Sequence, residues 1–265
     1  MSKEASLNDK RFGDGAAYER MMGTWTKLAG NQFLDWVAAQ PGLRWLDIGC
    51  GNGAFTELIC SRCAPASVHG LDPAPAQIAF ARARPGAQAV DFRAGDAMAL
   101  PYDESAFDAA TMALVIFFVP DPAKGVSEMV RVVRPGGLIA AYAWDVTRNG
   151  APFEPVWDEM SKLGIAPNRP PSAPASRMEA LLELWTGAGI TAVETKEIVV
   201  HRAFVDFEEF WSITTAGYIT NQIADLKPAD RDLLKNRVRA RMPTDAVGRI
   251  YYSAKANAVK GLRPA

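Results

Sequence analysis

A glycine-rich turn that follows an acidic residue is the part of this sequence best suited to binding a ligand. The stretch LDIGCGNG at 46–53 has three glycines in a G-x-G-x-G spacing, with Asp47 two residues before Gly49. Glycine allows a tight turn from a strand into a helix and lets a ligand lie against bare backbone. A tight turn without any ligand would need the same residues, so the glycines alone leave both interpretations open.

The spacing of the glycines and the charge of Asp47 distinguish between two classes of nucleotide. Dinucleotide-binding turns use a G-x-G-x-x-G spacing and place a pyrophosphate at the helix N-terminus. The spacing here is different. The Asp47 carboxylate would also repel a pyrophosphate, whereas it suits a ligand that carries a cationic amine and a sulfonium. Both features favour S-adenosylmethionine over NAD.

Two further acidic residues follow the next two apolar runs of the chain. Asp72 ends the second run, about twenty residues after the glycine turn, where a carboxylate can accept hydrogen bonds from ribose hydroxyls. Capping of the helix that follows Pro73 is the structural alternative for Asp72. Asp96 follows the third run, where it can accept from the exocyclic amine of adenine while Met98 covers the ring. Three acidic loops in this order predict an adenosine-binding site.

Short apolar runs alternate with helix-like stretches between residues 43 and 145. This alternation of strands and helices determines where the acidic loops lie. Parallel strands joined by helices through right-handed crossovers give a doubly wound α/β sheet, with the loops at one edge. The predicted strands are 43–48, 67–71, 90–94, 107–114 and 138–144, and the predicted helices are 54–63, 75–84 and 122–133.

The remainder of the chain predicts two more strands and several helices. Residues 146–177 are rich in Pro, Asn and Ser, with a loop core at 166–176. Apolar periodicity predicts strands at 193–204 and 249–259 and helices at 178–188, 207–217 and 228–241. We therefore expect a mostly parallel seven-stranded sheet, with the late helices as a cap beside the site. A single domain, 1–265, would comprise a cofactor-binding core at 17–145, cap and late sheet elements at 146–245, and a final strand at 249–260.

These motifs resemble the class I S-adenosylmethionine-dependent methyltransferases, in particular the broad group related to the ubiquinone and menaquinone methyltransferases. The resemblance covers residues 17–145 and implies a Rossmann-like methyltransferase fold and this cofactor. The matching stretches are LDIGCGNG at 46–53, GLDP at 70–73, GDAMALP at 95–101, FDAAT at 107–111, VPDP at 119–122 and RVVRPGG at 131–137.

The resemblance also implies roles for individual residues around the cofactor. Gly49 and Gly51 would pass beneath it, and Asp47 would help to hold its methionine end through the loop. The other implied cofactor-binding residues are Asp72 and Pro73 in the ribose loop, Asp96, Ala97 and Met98 at the adenine, and Ala113 and Leu114 at the methionine portion. Many relatives carry a pair of histidines before the VPDP element, where this chain has Phe117 and Phe118, so we expect a more apolar pocket there.

Aromatic residues are the candidates for closing the site. Tyr18, Met22 and Trp25 recur on one face of an N-terminal helix. They could cover the cofactor, with ring faces attracting the sulfonium, or they could pack that helix onto the sheet, and the sequence favours neither. Phe118 and Trp144 are candidate walls of the acceptor pocket.

The mechanism that these residues predict is direct methyl transfer, which depends mainly on proximity and orientation. The two histidines, His69 and His201, fall within predicted strands and are expected to be structural, so no catalytic base is identified. A small apolar or aromatic acceptor is the preferred substrate class, and a quinone or lipid is the alternative. Less favoured functions are an NAD-dependent oxidoreductase and a nucleoside-binding module without activity.

The composition disfavours several other classes of function. A net charge of -1 and a pI near 6.2 do not suit a protein that grips phosphate backbones, so no nucleic-acid partner is expected. The sequence has no apolar run of the roughly 18 residues that a membrane span requires. The single CxxC pair, Cys60 and Cys63, lacks the further ligands that zinc needs. We expect a cytoplasmic protein acting on a small molecule, and the oligomeric state stays open.

Overall fold

Seven strands form one sheet at the centre of the molecule. The computed structural model describes residues 15–216 and 219–265, with the side chains of the first helix described from Glu19 onward. The strand order is β3-β2-β1-β4-β5-β7-β6. The strands are β1 (Arg44–Ile48), β2 (Ser67–Asp72), β3 (Asp91–Ala94), β4 (Phe107–Ala113), β5 (Val133–Trp144), β6 (Thr191–Phe204) and β7 (Ile250–Leu262).

The first five strands are parallel, and β7 is antiparallel to both of its neighbours, β5 and β6. The predicted mostly parallel, seven-stranded α/β sheet is therefore confirmed. β6 runs in the same direction as β5, so the carboxyl ends of all strands except β7 lie along one edge. We call this the C-terminal edge, and the opposite edge the N-terminal edge.

Helices flank the sheet along the whole described chain. Proline occupies one of the first two positions in four of them, α3, α4, α5 and α9, where its missing N–H is not needed. The helices are α1 (Gly15–Val37), α2 (Ala54–Arg62), α3 (Pro75–Arg82), α4 (Pro122–Val132), α5 (Glu154–Lys162), α6 (Met178–Gly187), α7 (Phe207–Thr214), α8 (Thr220–Ala224) and α9 (Pro228–Arg241). Short 3-10 turns occur at Pro85–Ala87, Ile116–Phe118 and Ala173–Ser176.

The differences from the sequence-based prediction lie mainly after β4. β5 begins at Val133 rather than at residue 138, because Val133 pairs with Phe107 and the amide of Gly136 donates to the carbonyl of Arg263. The predicted helix at 207–217 ends at Thr214. The helices α5 and α8 were not predicted, and α5 lies inside the Pro-rich segment whose composition is typical of a loop.

The helix α1 packs on one face of the sheet near β5. The ring of Phe33 lies 4.7 Å from the ring of Tyr142 on β5 and 5.9 Å from that of Phe55 on α2. Phe33 and Tyr142 are fully buried. Apolar burial of this kind holds α1 across the sheet, with its earlier residues toward the C-terminal edge. None of the helices in the described ranges is long and apolar enough to cross a lipid bilayer.

Candidate ligand-binding site

The glycine turn between β1 and α2 has a left-handed backbone at each of its glycines. The φ angles of Gly49, Gly51 and Gly53 are 71°, 51° and 81°, a region that side chains disfavour. The amide of Gly49 donates to the carbonyl of Leu71 at 2.6 Å, which ties the turn to the end of β2. The turn therefore lies at the C-terminal edge with a defined conformation.

The space around each glycine shows which of them a ligand could contact. A Cβ atom at Gly49 would lie 2.4 Å from a methyl carbon of Val115, so packing alone requires glycine there. A Cβ atom at Gly51 would meet nothing closer than the side-chain oxygen of Gln77, at 4.0 Å. The Gly51 backbone is thus accessible, as the ligand-bound interpretation of the turn requires.

Asp72, at the end of β2, is held rigidly beside this turn. Its two carboxylate oxygens accept hydrogen bonds from the amide of Gly51 at 2.9 Å and the amide of Ala74 at 2.8 Å. Burial raises the pKa of Asp72 to about 6, although both hydrogen bonds act in the opposite direction. The N-cap of α3 is Ala74, so Asp72 is not the helix cap that the structural alternative proposed.

Asp47 lies inside the protein at the end of β1. Its side chain is fully buried, and one oxygen accepts from the hydroxyl of Thr56 at 2.6 Å. Its other oxygen, Oδ1, has no hydrogen-bond partner within the described ranges. Burial is the main cause that raises the pKa of Asp47 to about 7, and the charge of Asp72 adds to it. This carboxyl anchors α2 beneath the glycine turn and retains unused acceptor capacity.

The third acidic loop, after β3, is joined to the second. The amide of Gly95 donates to the carbonyl of Asp72 at 3.1 Å. Asp96 is exposed, and its carboxylate accepts from the amide of Met98 at 2.8 Å, while Ala97 and Met98 are half-buried. The acidic loops predicted from the sequence therefore do lie at adjacent strand ends.

The end of β4 contributes a strained residue to the same edge. Leu114 is buried and has a φ of 64°, which a branched side chain rarely adopts. Its amide donates to the carbonyl of Tyr142 on β5 at 2.7 Å, which helps to hold that conformation. Ala113, the last residue of β4, is half-buried, and Pro73 in the second loop is exposed.

An arginine that sequence reasoning missed links the glycine turn to two helices. Arg84 is buried, and its guanidinium donates to the carbonyl of Asn52 at 2.5 Å and to Glu57 of α2 at 3.1 Å. It also forms an ion pair with Glu19 of α1, which accepts from the side-chain amide of Asn52 at 2.7 Å. Arg84 thus joins α1, α2 and the turn. No local pattern could reveal it, since Glu19 and Arg84 are 65 residues apart.

The candidate residues of α1 lie in an aromatic cluster. Met22 and Trp25 are buried. The ring of Trp25 lies 6.3–6.4 Å from the rings of Trp144, Phe204 and Tyr252. These contacts support the packing interpretation for Met22 and Trp25, and a role in cofactor binding stays a prediction for both. The side chain of Tyr18 lies outside the described residues.

The candidate acceptor walls are both aromatic side chains close to the strand ends. Trp144, the last residue of β5, is buried against Trp25. Phe118 is half-buried, and its ring lies 4.7 Å from that of Phe117 in the 3-10 turn after β4. The phenylalanine pair places two aromatic rings at this part of the edge, and the apolar acceptor pocket stays a prediction.

The cap helices also line a cavity next to the aromatic cluster. It has a volume of about 120 Å³, and Tyr252 contributes to its wall. Glu154 of α5 is buried there, and one of its oxygens has no hydrogen-bond partner within the described chain. Burial raises the pKa of Glu154, whereas the nearby Arg169 lowers it. The cavity therefore has both polar and apolar side chains in its wall.

The two histidines make contacts within the sheet. The Nδ1 atom of His69 lies 3.4 Å from the Asp91 carboxylate, and Nδ1 of His201 lies 2.7 Å from the Ser253 hydroxyl. Burial lowers the pKa of His69. Among the described residues, no group of three or more His, Cys, Asp or Glu side chains could hold a metal ion.

Comparison with known proteins agrees with this arrangement. Residues 46–141 match a family model described as a methyltransferase domain. The chain is 34% identical over 148 residues to a demethylmenaquinone methyltransferase from Renibacterium salmoninarum. That alignment covers 54% of this chain and 59% of the relative, so the chain spans less than two thirds of the relative's length.

Solved structures share the fold at low sequence identity. A Bacillus halodurans protein assigned as a methyltransferase superposes with a TM-score of 0.60 at 18% identity, covering 89% of this chain and 99% of that one. The Haemonchus contortus phosphoethanolamine N-methyltransferase 2, in complex with S-adenosyl-L-methionine, has a TM-score of 0.63 at 18% identity. In that case 100% of this chain and 61% of the other are covered. The predicted Rossmann-like methyltransferase fold is confirmed.

Proposed function

We propose that this chain, which contains a class I methyltransferase domain related to the quinone methyltransferases, transfers a methyl group from S-adenosylmethionine to a small organic acceptor. The hydrogen bond from the Gly51 amide to the Asp72 carboxylate carries the proposal. It joins an accessible glycine backbone to a buried acid at two adjacent strand ends. A nucleoside with a cationic tail, such as S-adenosylmethionine, needs an accessible backbone and a carboxylate next to each other.

The residues present fit that cofactor. Each oxygen of Asp72 accepts one backbone hydrogen bond, so the carboxylate, with about four acceptor sites, retains capacity for the two ribose hydroxyls. Gly49 and Gly51 would lie beneath the methionine portion, and Ala113 and Leu114 would face it. The adenine would bind at Asp96, Ala97 and Met98, where half-buried apolar atoms can cover a ring. Asp47 would act through the turn, since its own side chain is fully buried.

When bound, S-adenosylmethionine supplies a methyl group that its sulfonium already activates. The chain therefore has to hold the acceptor in line and keep the reacting atoms dry, which can contribute roughly 7–11 kcal/mol in favourable cases. Phe117, Phe118 and Trp144 provide apolar surface that would exclude water at the acceptor side. We assign no catalytic base.

Two classes of acceptor are consistent with the site and its relatives. The aromatic rings of Trp25, Phe118 and Trp144 favour a small aromatic or otherwise apolar molecule. The similarity to a demethylmenaquinone methyltransferase favours a quinone as the second candidate. A cytoplasmic location for either reaction is part of this proposal, since the three cysteines are not spaced as in a secreted disulfide framework.

Ligand-dependent unfolding tests the cofactor. We expect S-adenosylhomocysteine at about 100 times its Kd to stabilise the protein by roughly 2.7 kcal/mol and to raise the Tm by about 5–10 °C. NAD at the same concentration should leave the Tm unchanged, because the turn lacks the spacing for a pyrophosphate. Stabilisation by NAD and none by S-adenosylhomocysteine would identify an oxidoreductase instead.

Methyl transfer itself needs a second experiment. The protein is incubated with tritiated S-adenosylmethionine and a metabolite extract, with demethylmenaquinone and small hydroxylated aromatic compounds assayed in parallel. Label in a small aromatic product supports the preferred acceptor class, and label only in the quinone supports the alternative. Cofactor binding without transfer to any of them would indicate a binding module.

A further inference from the structure

Arg202 is a charged side chain near the C-terminal edge that the proposed cofactor site does not use. It lies on β6, two residues before the strand ends at Phe204. Ile198 and Trp144 both pair with Ala256 of β7, and Arg202 is four residues beyond Ile198. Because side chains alternate along a strand, Arg202 and Trp144 point to the same face of the sheet.

The Arg202 guanidinium lies against two neighbouring aromatic rings. Its central carbon lies 4.7 Å from the ring centroid of Phe204 and 5.8 Å from that of Trp25. Such contacts orient a guanidinium and shield it from water. The ring contacts do not satisfy the N–H donors at the edge of the planar guanidinium, so these donors need acceptors from other groups.

The described residues provide no acceptor for one of these donors. The Nη1 atom of Arg202 is buried without a hydrogen-bond partner in the part of the chain that the structure describes. Burial lowers the pKa of Arg202, and Glu209 is the acid whose charge opposes this. The Glu209 carboxylate instead accepts from the amide of Val205 at 2.6 Å. A buried donor left unpaired on a charged group is costly and calls for an explanation.

The position of Arg202 connects it to the acceptor side of the site. Trp25, which lies against the guanidinium, also contacts Trp144 at the end of β5. The carbonyl of Tyr142, two residues earlier on β5, holds the amide of Leu114 at the end of β4. Trp25 therefore lies next to both Arg202 and Trp144, the candidate acceptor wall at the end of β5.

We propose that Arg202 binds the carboxylate of an aromatic acceptor, an assignment that rests on the proposed methyltransferase function. A guanidinium offers paired N–H donors whose geometry matches a carboxylate. Trp25 and Phe204 set the plane of the guanidinium, and Trp144 offers a ring face to the aromatic part of the acceptor. The acceptor is therefore an aromatic acid rather than a neutral molecule.

The test compares an aromatic acid with its amide. The affinities of 2-naphthoate and 2-naphthamide are measured by calorimetry in the presence of saturating S-adenosylhomocysteine. We expect the wild type to bind the acid at least tenfold more tightly. Arg202→Met, which keeps an unbranched apolar side chain but lacks the guanidinium, should abolish this preference, and Arg202→Lys should retain part of it.

Arg239 provides a matched control. Its guanidinium lies 4.6 Å from the ring centroid of Phe207, but it is exposed and paired with Glu208. Arg239→Met should therefore leave the preference for the acid unchanged. The Tm of Arg202→Met should equal or exceed that of the wild type, because the change removes a buried donor that has no acceptor.

Failure of the proposed function and failure of the role proposed for Arg202 give different results. If S-adenosylhomocysteine does not bind, the proposed function is wrong. If it binds but the wild type does not prefer naphthoate, including the case in which neither probe binds, the role of Arg202 is overturned. A lower Tm for Arg202→Met with an unchanged preference would show that Arg202 serves only packing.

Discussion

Aspartates at the two edges of the sheet have opposite environments and opposite pKa shifts. At the N-terminal edge, Asp108 of β4 lies 2.9 Å from Arg44 of β1 and 2.7 Å from Arg134 of β5. These arginines hold the pKa of Asp108 well below its usual range. At the C-terminal edge, Asp47 and Asp72 have no cationic partner among the described side chains, and burial raises their pKa values to about 7 and about 6.

The difference in pairing distinguishes acids that stabilise the fold from acids that are available to a ligand. An acid paired with arginines contributes to the stability of the protein by itself. A buried acid without a cation reduces stability at neutral pH and is retained where it serves another purpose. Arg202 shows the same contrast: Arg44 and Arg134 are paired, whereas the Nη1 atom of Arg202 at the C-terminal edge has no partner among the described residues. Arg84 beside the glycine turn, by contrast, is paired with Glu19 and Glu57.

The largest expected effect is the pH dependence that Asp47 imposes. The folded protein keeps this proton up to a pH of about 7, whereas an unfolded Asp loses it near pH 4. The free energy of unfolding of the wild type should therefore fall as the pH rises from about 4 to about 7, on the order of 3 kcal/mol from this group. Asp47→Asn should lack this contribution. Urea unfolding of both proteins at several pH values measures it, and parallel pH curves would contradict it.

The N-terminal edge should show the opposite pH dependence and no effect on the cofactor. Asp108→Ala removes the hydrogen bonds to Arg44 and Arg134, and we expect a loss of about 2 kcal/mol at pH 7, moderated by the exposure of both arginines. The loss should shrink as the pH falls below about 4, because the unfolded chain then binds a proton at Asp108 that the folded protein takes up only at a much lower pH. Affinity for S-adenosylhomocysteine should stay unchanged. A weaker affinity would mean that the two edges are coupled.

At the C-terminal edge, Asp72→Ala should weaken S-adenosylhomocysteine binding more than tenfold, which is about 1.4 kcal/mol. The variant should retain its fold, since the hydrogen bonds that the Asp72 side chain accepts within the described residues come from two backbone amides. Calorimetry gives the affinity, and circular dichroism gives the structure. Asp108→Ala is the control for removing an acid elsewhere in the sheet. Unchanged affinity in Asp72→Ala would remove Asp72 from the site.

The smallest effect comes from two matched glycines, one at each edge. Gly51 and Gly136 have φ angles of 51° and 70°, and a Cβ atom at either would meet nothing closer than 3.9 Å. Alanine should cost each about 1 kcal/mol of stability because of the left-handed backbone. Only Gly51→Ala should also weaken S-adenosylhomocysteine binding, since its methyl group would occupy the accessible surface. Equal affinities in the two variants would argue against ligand contact at Gly51.

Local spacing in the sequence was enough to predict the elements and the loops of the candidate site. The alternation of apolar runs and helices gave the sheet, and the acids Asp47, Asp72 and Asp96 could be placed at strand ends because each lies at or just beyond the end of such a run. Parallel strands bring these ends to one edge whatever the details of packing. The helix α5 was missed because Pro-rich composition outweighs a short apolar periodicity.

Contacts between distant residues decided what the sequence could not. The ion pairs of Arg84 join segments up to 65 residues apart, and Arg202 meets Trp25 only because β6 and β7 add to the far side of the sheet and α1 crosses them. Burial, which sets the pKa of Asp47 and leaves the Arg202 donor unpaired, is a property of the packed molecule. Residue type and spacing determine which groups are available, whereas tertiary packing determines which of them are neutralised and which remain for a ligand.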